Sequence, residues 1–160
     1  MGHKSLFTAL IIALTVYCLG SCNSPAPKEN NPSAPATKDT VVISQGLNSK
    51  GIGRFTDVKL GHPLDEAMVS RGQAMYLAKC MACHKLTGEK LVGPGWKGVT
   101  DRRTPEWIMN FATNTQVMLD KDLVAQSEMV TCVVRMPNQD LNDGQAREIL
   151  EFMRKNDGKN

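Results

Sequence analysis

The sequence predicts an all-α domain of four to five helices, filling residues 64–160 of a 160-residue chain. Three observations carry that expectation. Asn142 stands three residues ahead of Gln145, a capping-box pair, and Ala146, Ile149, Leu150 and Met153 follow it at the spacing of one helical face. Thr104-Pro105-Glu106 is a helix start with proline at the first helical position. No stretch alternates apolar and polar residues as a half-buried strand would. Apolar residues at 41% and charged residues at 22% are ordinary for a soluble globular protein, which excludes fibrous and multi-span membrane classes. A net charge of +3 is too small an excess of base to argue for a nucleic-acid partner.

The elements follow in chain order. His3 and Lys4 precede a nearly unbroken apolar run over residues 6–19 (LFTALIIALTVYCL). Fourteen helical residues rise about 21 Å, short of the roughly 30 Å hydrocarbon core, so residues 1–21 read as a signal peptide rather than a span. Their ending, Leu19-Gly20-Ser21-Cys22, resembles the bacterial lipobox, which implies lipidation of Cys22. Residues 22–40 hold four of the eight prolines and no large apolar side chain, the composition of a disordered tether. About 20 such residues span roughly 25 Å. The chain is therefore expected on the periplasmic side of a bacterial membrane, with the choice of membrane open. Residues 41–63 carry several glycines among scattered apolar residues and are expected to form an extended arm over the domain.

The first helix of the domain would start at a cap, Asp65 or Ser70, and end near Lys79. A helix over 104–113 would bear Trp107, Ile108, Phe111 and Ala112, and another would span 120–133. The last begins at Asn142.

Five cysteines and nine methionines stand against only two Trp, two Tyr and four Phe. Cys18 leaves with the signal, Cys22 takes the lipid, and Cys80 and Cys83 fall in Cys80-Met81-Ala82-Cys83-His84. C-x-x-C-H is the attachment signature of c-type haem. On a helical turn residues i and i+3 share a face, so both thiols reach one porphyrin edge and the next residue, His84, lies under the iron. Chance would supply this pattern about 0.003 times at this composition. A zinc site would need two more ligands, with only His62 and Cys132 besides His84 to draw on. A thioredoxin-type pair would want a βαβ setting and no histidine. One covalent haem c is the expected cofactor, and its flat apolar body explains the scarcity of aromatic residues.

The sixth iron ligand separates a carrier from a sensor or catalyst. Met136 is the leading candidate because Pro137 disfavours helix there and holds the side chain on a loop, before the last helix. Met118 and Met129 are the lesser ones, and His62 the least. Met68, Met75, Met109 and Met153 fall in expected helices, where methionine more often fills core gaps. Cys132 is expected to be a buried free thiol, with an intermolecular disulfide or a place near the iron as alternatives.

Gly72 and Tyr76 before the haem motif, the run Gly93-Pro94-Gly95-Trp96-Lys97-Gly98 after it, and Met136-Pro137 before a terminal helix form an ordered set. Over residues 64–156 the chain resembles a class I cytochrome c. The resemblance implies a four- to five-helix fold around one haem, with His84 and Met136 on the iron and Cys80 and Cys83 as thioethers. It implies that the Pro94 carbonyl accepts the other His84 ring proton, and that Phe152 packs on Gly72. Trp96 stands where the family often has leucine, so that part of the pocket is expected to differ. The implied function is one-electron transfer between redox partner proteins, without substrate chemistry and as a monomer. Arg102, Arg103 and Trp107 are candidates to meet the haem propionates, with solvated arginines and a core tryptophan as the plainer readings. Lys79, Lys85, Lys90 and Lys97 flank the motif and form either a basic rim that steers an acidic partner or an ordinary solvated surface. Gly51-Ile52-Gly53-Arg54-Phe55 with Val92-Gly93-Pro94-Gly95-Trp96 resembles tethered bacterial cytochromes that serve terminal oxidases or reductases such as nitrous oxide reductase, fed by a quinol-oxidising complex. The alternatives are a haem sensor or peroxidase-like enzyme with a displaceable ligand, and a fixed haem subunit of a larger complex.

Overall fold

Asp65 opens the first helix, its carboxylate accepting the Met68 amide at 3.0 Å. Ser70 does not cap; its hydroxyl bonds the Glu66 carbonyl inside the helix. The helix, α1, spans Glu66–Lys79 and buries Val69, Gly72 and Tyr76. The structure, a computed structural model, describes residues 49–132 and 134–160. Residues 1–48, with the expected signal peptide, the expected lipidation site Cys22, the expected tether and the first part of the arm, lie outside it.

The expected all-α class holds: the described residues contain helices and no strand, only an isolated antiparallel bridge between His84 and Lys90. After α1 come α2 (Val99–Arg102), α3 (Pro105–Thr113), α4 (Thr115–Lys121), α5 (Leu123–Met129) and α6 (Asp143–Asn156). The single turn of α2 was not legible locally. Its free amides at Gly98 and Thr100 are taken by the Asp157 carboxylate, 2.6 and 2.9 Å away and far along the chain. α3 begins as expected, with Thr104 accepting the Trp107 amide and Pro105 at the first position.

The single helix expected over 120–133 is corrected to two. Asp122 is extended, with ψ at 119°, and its buried Oδ1 accepts both the Ala125 amide at 2.9 Å and the Trp107 indole N–H at 3.1 Å. An N-cap residue has extended rather than helical backbone, and Asp122 is fixed in that role by these two bonds, so α4 stops at Lys121 and α5 restarts at Leu123.

α6 carries the full capping box, with Gln145 N to Asn142 Oδ1 at 2.9 Å and Asn142 N to Gln145 Oε1 at 3.0 Å. Its buried face includes Ala146, Ile149, Leu150 and Met153. α1 and α6 form the main helix pair of the core. They cross at Gly72, where an added Cβ would stand 2.0 Å from the Glu148 carbonyl oxygen and 2.8 Å from Phe152 Cβ. Residues 49–63 are irregular, and Phe55 and Val58 pack on the core.

Candidate functional site

The site grows from the end of α1. The Cys80 amide still donates to the Tyr76 carbonyl at 2.9 Å, and Cys83 N and His84 N both donate to the Cys80 carbonyl at 3.0 and 2.9 Å. Residues 80–84 therefore form one further tight turn, which sets the two sulfurs three residues apart and His84 next to the second. Tyr76 locks this turn from below the helix end, its phenol donating to the His84 carbonyl at 2.7 Å. Burial pushes the Cys80 thiol up to about 11, so as a free thiol it is protonated at neutral pH. Met81, between the cysteines, is exposed.

The loop after the turn is shaped around the imidazole. His84 Nδ1 lies 2.8 Å from the Pro94 carbonyl oxygen. A carbonyl only accepts, so Nδ1 donates to it and Nε2 is the ring nitrogen left to face a metal. Gly93 lies against the same ring: a Cβ there would come within 2.4 Å of His84 Cε1, so no side chain fits. The Trp96 ring sits 5.8 Å from the imidazole and 4.9 Å from Tyr76, and its amide donates to the Lys85 carbonyl at 2.8 Å. Trp96 thus packs behind the histidine, joined by Phe152 at 5.5 Å from Tyr76.

These residues line a cleft of about 260 Å³, mainly apolar, which brings together Cys80, Cys83, His84, Pro94, Trp96 and Met136. Cys22 falls outside the described residues. The methionine candidates separate here. Met118 is fully buried away from the cleft, and its sulfur accepts the Ile52 amide at 3.0 Å, so it is corrected to core. Met129 lines the cleft along with Met136, which sits on a loop. His62 is exposed, outside the cleft, with Nδ1 2.6 Å from the Asn160 carbonyl oxygen. Cys132, expected to be buried, is half-buried on the cleft wall, with its thiol 3.4 Å from the Glu128 carbonyl.

Trp107 lines the cleft as a core residue, its N–H committed to Asp122 and its ring stacked on Phe111 at 5.0 Å. Arg102 and Arg103 both reach the cleft. Arg103 lies over the Trp107 ring, bonds Glu128 at 2.5 Å, and has a buried Nε with no partner among the described residues. Gly93 and Tyr76 act on His84 directly, yet in the sequence they were only markers of a pattern.

The donor set is two thiols, one imidazole in ligand tautomer and thioethers, on an apolar wall with one spare guanidinium N–H. Such a set suits a flat apolar iron macrocycle with acidic edges.

The comparisons agree with that chemistry. The family model for cytochrome c matches residues 69–157. The chain is similar to a solved cytochrome c from Rhodothermus marinus, at 30% identity over 72% of this chain and 97% of that one, with a TM-score of 0.65. It is also similar to an engineered cytochrome c from Rhodothermus marinus, at 32% identity over 67% and 92% of the two chains, with a TM-score of 0.63. No curated protein matches the chain.

Proposed function

Because the chain belongs to the cytochrome c family, with covalently attached haem c as its cofactor, we propose that it carries single electrons through a haem held by Cys80 and Cys83 and ligated by His84 and Met136. The observation that carries this reading is the His84–Pro94 hydrogen bond beside the paired cysteines, in a cleft that Met136 also lines. When bound, haem c supplies a one-electron Fe(III)/Fe(II) couple, and a thioether ligand favours the reduced state relative to a second imidazole.

The chain's own residues prepare the site for that role. Pro94 fixes the tautomer and orientation of His84, while Tyr76 and Gly93 hold the ring's position from the backbone side and the face. With His84 and Met136 both supplied by the protein, the iron would keep the same ligands in both oxidation states and offer no ready place to outside molecules. The spare Nε of Arg103 is a donor suited to a propionate, in a position where a buried unpaired N–H is costly. Trp96 and Trp107 wall the cleft against water.

Methionine ligation is tested by paired variants of the holoprotein, Met136→Ala and Met129→Ala, since both residues line the cleft. The wild type should show a far-red ferric sulfur–iron band and bind CO only weakly when reduced. Met136→Ala should lose the band, bind CO readily and fall in potential, while Met129→Ala keeps all three properties. Loss of the band in Met129→Ala alone would transfer the ligand to that residue.

We further propose that lipidated Cys22 anchors the protein on the periplasmic side of a bacterial membrane, through the tether of residues 22–40 and the arm of 41–63. There it would pass electrons from a quinol-oxidising complex to a terminal oxidase or a reductase such as that for nitrous oxide. The lipobox-like Leu19-Gly20-Ser21-Cys22 supports the anchor, and among the described residues no helix is long and apolar enough to cross a membrane. In the source bacterium, Cys22→Ser should move the haem protein from the membrane to the soluble fraction and slow quinol-driven turnover of the terminal enzyme. Unchanged sedimentation of the variant would rule the anchor out.

A further inference from the structure

Residues 49–58 are bound to the domain by groups buried inside it. Asn110 of α3, 1% exposed, spends its whole carboxamide on this arm: Nδ2 donates to the Lys50 and Phe55 carbonyls at 2.9 Å each, and Oδ1 accepts the Phe55 amide at 3.0 Å. Glu106 accepts the Val58 amide at 3.0 Å, and Thr104 donates to the Ser49 carbonyl at 2.8 Å. In α4, the Met118 sulfur accepts the Ile52 amide. Gly51, at φ +70°, lies so close that a Cβ would stand 2.7 Å from Met118 Cε and 3.2 Å from Trp107 Cδ1.

The other side of α4 holds the loop that carries Met136. Gln116 Nε2 donates to the Met136 carbonyl at 3.2 Å. Arg135 donates to Gln116 Oε1 at 3.0 Å, to the Gln116 carbonyl at 3.2 Å and to Asp120 at 2.6 Å. Seven residues of helix have no stability of their own in water, so α4 sits where its neighbours put it. Those neighbours are α3 and α5, the arm and the Met136 loop.

We propose that the arm braces the distal side of the haem site through α4, and that Asn110, Met118 and Gln116 are positioning residues for the Met136 sulfur. The segment that leads into the domain is thereby a determinant of the iron's sixth ligand, not only a connector. The inference rests on the assignment of Met136 as that ligand. Releasing the arm would loosen α4 on the side that α3 and α5 do not hold, and with it the loop, so the Met136 sulfur would leave a bound iron more often and outside ligands would enter in proportion.

The test uses the full-length holoprotein and two variants that detach the arm differently. Asn110→Ala removes the clamp, and Gly53→Ala places a Cβ 2.2 Å from Asn110 Oδ1. Val69→Ala, in α1, is the control for general loss of stability. The readouts are imidazole binding to the ferric protein, the sulfur–iron band, and amide exchange of residues 50–56. Both arm variants should bind imidazole about tenfold faster or more, with a weakened band and covalent haem retained, while Val69→Ala stays within about twofold of wild type. If Asn110→Ala yields no haem protein, Gly53→Ala carries the test alone. Wild-type imidazole rates in variants whose arm amides exchange freely would overturn the brace and leave the Met136 assignment standing. Equal acceleration in Val69→Ala would overturn it too. A wild type without the band would instead remove the Met136 assignment and the brace with it.

Discussion

Gly72→Leu is expected to destabilise the holoprotein by roughly 3 kcal/mol or more, beyond the usual cost of overpacking. The reason is what the new side chain meets. An added Cβ comes 2.0 Å from the Glu148 carbonyl oxygen and 2.7 Å from its carbon, both main-chain atoms of α6, and only then Phe152 Cβ at 2.8 Å. A side chain can rotate away, but a helix backbone cannot without parting α1 from α6, the principal helix pair. For a domain of this size the melting temperature should fall by more than about 12 °C. Phe152→Ala added to Gly72→Leu should restore little of it, because the obstruction is backbone. Full rescue by that second change, or a near-normal melting temperature, would show that the helices separate more easily than this packing allows.

Glu151→Ala is expected to cost roughly 3–5 kcal/mol, the range for stranding a buried charge. Glu151 is 1% exposed, and its carboxylate accepts from Arg154 at 2.6 Å and Arg147 at 2.8 Å. Arg154 is itself buried and donates to the Gly61 carbonyl at 3.0 Å, so it cannot follow its lost partner into water. Arg147 is more exposed and can. Glu151→Leu with Arg154→Met removes both buried charges and should therefore unfold at a higher temperature than Glu151→Ala alone. Thermal unfolding of the three proteins decides it. A harmless single change, or a double variant as unstable as the single, would mean that the pair is not desolvated as its burial implies.

The legible parts of the fold were those whose cause lies within a few residues. Asn142 and Gln145 satisfy each other's amides across one turn, and Thr104-Pro105 needs nothing beyond itself to start α3. The break at Asp122 was illegible because half its cause is the Trp107 indole, 15 residues away. α2 was missed because its capping carboxylate, Asp157, is 57 residues from Thr100.

The candidate site divides in the same way. C-x-x-C-H was readable because the chemistry of thioether attachment demands that local spacing, and the helical turn over 80–84 supplies it. Gly93 could be seen as part of a glycine-rich run, but that it spares room for the His84 ring is visible only in three dimensions. Pro137 set Met136 ahead of Met118 in the sequence, but nothing local removed Met118 from the candidates. One sulfur is occupied by an arm amide in the core and the other side chain lines the cleft.

The amino-acid sequence alone therefore determined the helical class, the covalent haem motif, the caps of α3 and α6 and the order of the parts, since each depends on contacts between near neighbours in the chain. Which methionine candidate is spent in the core, where α4 gives way to α5, and what the residues before Asp65 hold in place were decided by tertiary structure. They turn on hydrogen bonds and van der Waals distances between residues 15 to 66 positions apart, which no local pattern encodes.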